Sequence, residues 1–415
     1  MDEIEVPPYF LCPVSLEIMK DPVTLSTGIT YDRESIEKWI FSEKNTTCPV
    51  TKQPLKPDSE LTPNHTLRRL IQSWCTLNAS RGVERIPTPQ PPVTRTQIAK
   101  LLNDAKSPHL QMKCLATLRS IVSASDANKR CMEAAGAAEF LASLLHFDTA
   151  AAGEEYEDGF NYSNQFTTAS DEALSILYNL RPSEDTLKSL AAKNPNLVDS
   201  LTVAMQNGSY ESRAYAVMLL KSIFEVADPT QLITLKRSLF VELVQLLHDN
   251  VSYKASAAAL HIMINICPLG RNKVKAVEAG AVAVLIDLLL DSSERRACEM
   301  SLVALEQLAH CADGRAELVS HGAGLAVVSK KILRISKMAS KAAVRILHWV
   351  SKFSANERVL HEMLEVGVVA KLCLVLQVDS GEKTKEKAKE ILRMHSRAWK
   401  NSPCVPVTLL SSYPS

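Results

Sequence analysis

Cys12 and Cys48 each open a Cys-Pro-Val turn early in the chain, and a thiol in such a turn supports two kinds of chemistry. The first is metal ligation. A closed zinc site takes four Cys or His ligands, usually with two of them in a close pair such as C-x-x-C. Before residue 80 the candidates are Cys12, Cys48, His65 and Cys75, and no two are closely paired. The pattern argues against a metal, and nothing else in the sequence calls for a cofactor. The second is nucleophilic catalysis, in which a neighbouring base or cation prepares the thiolate. Both cysteines precede proline in apolar loops with no His or Lys arranged beside them, so they read as buried structural thiols. No G-x-S-x-G, Gly-rich phosphate loop or H-E-x-x-H occurs in the chain, and its histidines are scattered.

Without a metal the turns need another support, because a small module buries too little apolar surface to be stable by its core alone. Polar side chains stand where ligands would. Glu17, Asp21, Ser26, Thr30, Asp32, Arg33, Thr47 and Thr51 can hydrogen-bond or ion-pair across the turns, although ordinary turn and cap chemistry is an equal reading for any one of them. The elements around them read as loop, two short strands, helix, loop, helix. Pro7, Pro8, Pro13 and Pro22 keep the start non-helical. Residues 23–25 and 29–31 flank a Ser26-Thr27-Gly28 turn. Asp32 is placed to cap a helix carrying Ile36, Trp39 and Ile40, and Asn64 to cap a second carrying Leu67, Leu70, Ile71 and Trp74.

The segments PPYFLCPVSLEIMKDPVTLSTGITYDRESIEKWI, CPVT and LTPNHTLRRLIQSW resemble the U-box, the zinc-free relative of the RING finger found in ubiquitin ligases. The resemblance includes D-P-V, G-x-T-Y-D-R and N-x-x-L-R-x-L-I. It implies a module that binds a ubiquitin-charged conjugating enzyme (E2) and holds the thioester for attack by a substrate lysine. The E2 cysteine does the covalent chemistry, and the ligase contributes positioning. Matched onto this sequence, the E2-facing residues are Val14 and Leu16 in the first turn, Trp39 on the helix, and Pro49 and Val50 in the second turn. Lys52 would steady ubiquitin against E2, a role often taken by Arg, whose planar fork Lys lacks. Cys12, Glu17, Asp32, Arg33, Cys48 and Thr51 fall to holding the loops. Plain core packing competes for Val14, Leu16 and Val50, whereas Trp39 and Pro49 read as interface anchors.

At 415 residues the length suggests two or three domains. Net charge is +1, from 47 basic and 46 acidic side chains, which gives no electrostatic case for nucleic acid or a membrane surface. Ten cysteines are scattered singly, a pattern of reduced thiols, and MDEIEV lacks a signal-peptide pattern. With no apolar run near the length of a membrane span, the expectation is a soluble protein of the cytoplasm, with the nucleus as the other compartment.

After Trp74 the composition shifts. Pro87, Pro89, Pro91 and Pro92 mark an extended linker. Beyond it helices repeat. Lys113-Cys114, Glu172-Ala173, Arg213-Ala214, Lys254-Ala255, Arg296-Ala297, Lys341-Ala342 and Lys387-Ala388 each start an apolar helical run. From Glu172 onward they recur at the period of about 40–47 residues shown by armadillo and HEAT units. Gly136, Gly280, Gly322 and Gly367 form a second landmark in phase, each ending one helix before the next. These residues resemble the armadillo repeat, in which each unit stacks on its neighbours to bury its apolar face. The longer first step implies an insertion at 148–167, read as an acidic loop. The charge alternation after Gly381 reads as a solvated last helix.

The expected architecture is mostly α: a small zinc-free α+β U-box (5–79), a proline-rich linker (80–94), about seven degenerate armadillo units (95–400) and a flexible tail (401–415). This order resembles plant U-box ligases with C-terminal armadillo repeats, and most of all their stress- and immunity-associated members. That resemblance implies E2-dependent ubiquitination of substrates and of the chain itself, capture of a protein substrate on the armadillo surface, self-association, and a part in defence or drought signalling. Thr62-Pro63 and Thr88-Pro89 are minimal sites for proline-directed kinases. Two rivals remain: a non-catalytic armadillo scaffold, and a ligase that carries ubiquitin on its own cysteine. The Trp and Asn ladder of import receptors is missing, since Trp349 is the single tryptophan of the repeats before Trp399.

Overall fold

The structure is a computed structural model that describes residues 5–43, 45–55, 61–86, 93–145 and 168–399, without the side chains of residues 41 and 42. The insertion at 148–167, the linker prolines, Thr88 and the tail at 401–415 lie outside the described residues. The chain forms two compact units, Met1–Leu101 with Ser120–Ala135, and Leu102–Arg119 with Gly136–Ser415.

The first unit is built on a three-stranded antiparallel sheet. β1 (Pro22–Thr24) pairs with β2 (Thr30–Asp32) on one side and with β3 (Thr62–Pro63) on the other. The hairpin turns at Gly28, whose φ of 81° suits glycine, and its strands sit one residue from the expected spans. Next comes α1 (Arg33–Glu37), which widens to π geometry over Lys38–Ser42. Such bulges often occur at functional sites. α2 (His65–Leu77) begins where Asn64 accepts a hydrogen bond from the Leu67 N–H at 3.0 Å, as its position in the sequence indicates. Asp32 behaves differently from the expected cap. Its carboxylate makes no cap bond and instead accepts from the Lys20 and Asp21 N–H groups at 2.7 and 2.9 Å, because the chain after the first turn brings these two donors to it. The core is small: Phe10, Met19, Val23, Tyr31, Ile36 and Ile71, with Cys12, Cys48 and Cys75 packed among them.

The repeat region follows with α3 (Arg95–Asp104), α4 (Pro108–Ala124), α5 (Asp126–Ala134), α6 (Ala137–Ser143) and α7 (Ala169–Leu180). Regular triplets then run α8 (Glu184–Lys193), α9 (Leu197–Asn207), α10 (Tyr210–Val226), and α11 (Pro229–Ile233), α12 (Arg237–Asp249), α13 (Tyr253–Ile266). They continue α14 (Asn272–Glu278), α15 (Ala281–Asp291), α16 (Arg295–Ala309), and α17 (Ala312–Ser320), α18 (Gly324–Lys331), α19 (Lys337–Phe353). The last are α20 (Glu357–Glu365), α21 (Val368–Gln377), α22 (Glu382–Met394) and the short α23 (Ser396–Trp399). From Glu172 onward the basic-or-acidic landmarks fall in the third helix of a triplet, with Lys113 on α4 ahead of them, and α7, α10, α13, α16, α19 and α22 pack in series. This is the stacking of an armadillo solenoid, in which no unit buries its face alone.

Ion pairs cross between successive repeats. Glu172, the acidic residue in an otherwise basic slot, takes Arg119 at 2.9 Å, and Arg345 reaches the buried Glu306 at 2.7 Å. The fully buried Asn272 donates to the Leu232 and Ile266 carbonyls at 2.7 and 3.0 Å, closing the turn between repeats. Gly136, Gly280 and Gly367 precede α6, α15 and α21 with φ of 79°, 84° and 74°, the left-handed turn expected of them. Gly322 is not left-handed: the chain turns there through an extended His321, so the glycine is not conformationally required. The last long helix, α22, is not simply solvated. It buries Thr384, Ala388, Ile391 and Leu392 and packs on α19, because one face of its charged sequence is apolar at helical spacing.

Candidate functional site

The two Cys-Pro-Val turns are one structure used twice. Leu11 bridges to Ile18 and Thr47 bridges to Pro54, closing each loop at its base. Inside the first, the Cys12 N–H donates to the Glu17 carbonyl and the Leu16 N–H to the Cys12 carbonyl, both at 2.8 Å. Inside the second, the Cys48 N–H donates to the Gln53 carbonyl and the Lys52 N–H to the Cys48 carbonyl, both at 2.9 Å. Even the accessory bonds match, with Ser15 Oγ accepting from the Glu17 N–H and Thr51 Oγ1 from the Gln53 N–H. This tight closure forces the residue before the exit into the left-handed region. Leu16 and Lys52 both have φ of 59°, which costs a non-glycine residue about 1–2 kcal/mol.

Two consecutive residues of β2 suspend the loops. The Tyr31 hydroxyl lies 3.0 Å from Cys48 Sγ and accepts from the Val50 N–H at 3.3 Å. The Asp32 N–H donates to Cys12 Sγ at 3.3 Å, and the Asp32 carboxylate holds the chain leaving the first loop. Arg33 Nε pairs with Asp21 at 2.6 Å, Arg68 reaches the same carboxylate at 3.6 Å, and Glu37 sits between Arg33 and Arg130 at 3.7 and 3.4 Å. Burial pushes the Glu37 carboxyl above its usual range, with Arg130 and Arg33 pulling it back. The thiols thus serve as hydrogen-bond hubs that tie the two loops to β2.

The thiol chemistry differs from what the neighbouring sequence implies. Among the described residues no His or Lys bonds to either cysteine, yet both thiols lie below their usual value. Burial pushes Cys48 up, but hydrogen bonds from Thr27, Thr51 and Tyr31 outweigh it and bring it down to about 6. Cys12 is lowered against its own burial by the Ser15, Asp32 and Val14 amides. Hydroxyls and amides supply the lowering that a neighbouring cation would otherwise give. Both sulfurs remain fully buried, which suits support and not attack.

The remaining loop side chains point outward. Leu16 is 74% exposed, Val50 50% and Val14 38%, so core packing does not describe them. Pro49 is partly buried at the loop tip. Trp39 packs its ring on the module core and donates from Nε1 to the Thr47 carbonyl at 2.8 Å, pinning the base of the second loop. Lys52 Nζ stands 5.9 Å from the centre of that indole, within reach of a cation–π contact. Glu17 contributes through its main chain, with an exposed side chain. Thr62 is exposed on β3, opposite Thr24. The elements that sequence reasoning missed are Tyr31, Thr27 and the strain at Leu16 and Lys52. The shared Cys-Pro-Val opening of CPVSLE and CPVTKQ signals that the two loops match, and not the strain itself.

Comparison with known proteins bears on both units. The family profile described as U-box domain matches residues 6–80, and that described as plant U-box protein ARM repeat region matches residues 97–415. The chain is 58% identical to the E3 ubiquitin-protein ligase PUB23 of Arabidopsis thaliana, covering 100% of this chain and 98% of that protein. It is 56% identical to PUB22 of the same plant, covering 100% and 99%, and 38% identical to PUB24, covering 99% and 96%. A solved structure concerned with a phosphorylation switch in the cadherin–beta-catenin interaction superposes with a TM-score of 0.61 at 15% identity, covering 83% of this chain and 62% of that one. That likeness is one of fold.

Proposed function

The chain belongs to the plant U-box proteins with an armadillo repeat region, and from that premise we propose how its two loops do the work of an E3 ubiquitin-protein ligase. It is a ubiquitin transferase whose U-box binds an E2 and whose armadillo repeats bind substrate. Val14 and Leu16 from the first loop and Pro49 and Val50 from the second form the apolar docking surface for the charged E2, with Trp39 as its braced anchor. Lys52, held beside the Trp39 ring, steadies ubiquitin so that its thioester stays in reach of a lysine. Ubiquitin is not carried on this chain; Cys12 and Cys48 hold the loops.

The observation that carries this reading is Leu16. A leucine left three-quarters exposed in a strained backbone conformation stabilises nothing around it, and strain of this kind gathers at functional sites. Exposed apolar groups on a rigid support are what an interface requires.

The test is chain formation with purified activating enzyme, ubiquitin, ATP and a panel of E2 enzymes. Wild type is expected to build chains on itself, with Trp39→Ala and Val50→Ser inactive although folded by circular dichroism. Full activity in both variants, across the panel, refutes the docking surface. Silence of wild type with every E2 leaves the armadillo scaffold as the better description.

The cellular setting of this reading is the cytoplasm, with the nucleus as the other compartment, in defence or abiotic-stress signalling, as the resemblance carried by the sequence implies. Phosphate at Thr62 or Thr88, adding about −1.5 to −2 charge, tunes activity or self-association. Mass spectrometry of the protein from stressed tissue tests this, and absence of both modifications counts against it.

A further inference from the structure

α5 follows the start of the repeats in sequence, yet Ser120–Ala135, the stretch that contains it, belongs to the first unit with the two loops. Two of its residues tie it to the chain just ahead of α3. The Val93 N–H donates to Asn128 Oδ1 at 3.5 Å, and Cys131 Sγ donates to the Val93 carbonyl at 3.4 Å. The residue between these two ties, Arg130, brings its guanidinium to within 3.4 Å of the Glu37 carboxylate. Glu37 is 7% exposed, and a buried carboxylate stays charged only with a cation beside it. Arg33 stands 3.7 Å away but also holds Asp21 at 2.6 Å, so Arg130 is the closer partner. The place of Glu37 in the chain gives this pair its reach. It is the last residue of α1, and the π stretch Lys38–Ser42 begins immediately after it, with Trp39 as the second residue of that stretch. Trp39 in turn donates to the Thr47 carbonyl at 2.8 Å, and Thr47 bridges to Pro54 at the base of the second loop. A buried carboxylate that loses its cation is driven toward water, which pulls on the helix end that carries Trp39.

We propose that Arg130 is a positioning residue for ubiquitin transfer: from α5 it holds Glu37, and through the end of α1 it sets Trp39 and the second loop for the charged E2. It acts through Glu37 and is not itself part of the docking surface. The proposal rests on the ligase reading of the loops. It adds to them a helix that lies in the stretch matched by the repeat-region profile, outside the stretch matched by the U-box profile.

The test uses the full chain in steady-state discharge of an E2–ubiquitin thioester to free lysine, with KM for the charged E2 and kcat read separately. The E2 is one that wild type discharges. Arg130→Ala is expected to raise KM by about fivefold or more while kcat stays within about twofold, because the loss is one of loop placement before the chemical step. Arg130→Lys, which keeps the charge, is expected to stay within about twofold of wild type in both. The double variant E37Q/R130A is expected to recover most of the loss, since a neutral amide needs no cation. Hydrogen exchange at the Trp39 indole N–H and the Cys48 amide, read on the same proteins, is expected to quicken in Arg130→Ala and to return in the double variant. An Arg130→Ala variant that only loses folded fraction lowers apparent kcat at constant KM, and that result overturns the proposal. So does a raised KM that E37Q/R130A fails to recover, because Arg130 would then act through something other than Glu37. Either result with an active wild type discards the positioning role and keeps the ligase; no discharge by wild type with any E2 discards the ligase reading, and the proposal with it.

Discussion

The Tyr31 hydroxyl lies 3.0 Å from Cys48 Sγ and also receives the Val50 N–H at 3.3 Å, so one phenol holds both the root and the tip of the second loop. Its neighbour in sequence, Asp32, meets Cys12 Sγ from the main chain at 3.3 Å. Two adjacent residues of one strand therefore set both loops that carry the exposed apolar side chains. A metal would do the same by coordination; here it is done by sulfur-centred hydrogen bonds inside a small core.

Removing that hydroxyl isolates its contribution. Tyr31→Phe keeps the ring in the core but leaves the Val50 N–H without its side-chain partner and the Cys48 sulfur with Thr27 and Thr51 alone. The expected cost is about 1–3 kcal/mol in urea unfolding, the range for a buried group left unsatisfied, with faster hydrogen exchange at the Val50 amide. Unchanged exchange at Val50 would show that the loop is held by something else.

The thiol of Cys48 makes loop stability depend on pH. Its folded value is depressed to about 6 from the usual 9.0, so between those values the folded chain binds fewer protons at this group than the unfolded chain. The stabilisation is complete above the unfolded value and is lost as pH falls through the folded one, so U-box stability rises across that window. Denaturant midpoints from pH 6 to 9, compared between wild type and Cys48→Ser, read the effect. The serine variant is expected to show a flatter slope, and an identical slope in both would remove Cys48 as its source.

Leu16 should trade stability against activity. Glycine tolerates a φ of 59°, so Leu16→Gly relieves about 1–2 kcal/mol of backbone strain while deleting the most exposed apolar side chain of the first loop. The expected variant melts higher than wild type and builds ubiquitin chains more slowly. A variant that is both more stable and equally active would mean that the strain has no functional return.

The repeat glycines separate conformational need from mere position. An added Cβ meets nothing within 4 Å at either Gly280 or Gly322, but only Gly280 has a positive φ, of 84°. Gly280→Ala is therefore expected to cost about 1–2 kcal/mol by backbone strain alone, and Gly322→Ala to be close to neutral, both by thermal unfolding. Equal costs at the two sites would contradict the account of the repeat turns.

Much of this was legible in the residues. The helix and strand order of the first unit followed from proline placement, the Ser26-Thr27-Gly28 turn and the Asn64 cap, all of which are local signals. The repeat phase followed from charged-then-small pairs that open each third helix. What stayed hidden was set by tertiary contact. The carboxylate of Asp32 looked like a helix cap because sequence shows only the following residues, whereas its donors, Lys20 and Asp21, arrive from the preceding loop. The lowered Cys48 thiol was invisible for the same reason, since Thr27 and Tyr31 reach it from the hairpin. Strain at Leu16 and Lys52 carries no residue signature at all, because neither is a glycine or an asparagine.

The central claim is that the loops position a charged E2 and take no covalent part, and single-turnover discharge of an E2–ubiquitin thioester to free lysine tests it most directly. The account predicts that the full chain accelerates discharge, that a chelator does not slow it, and that Lys52→Ala slows it while Lys52→Arg does not. It also predicts no reducible ubiquitin adduct on this chain at any time point. Discharge no faster than with E2 alone, or a thioester adduct on the chain that a reductant removes, would contradict it.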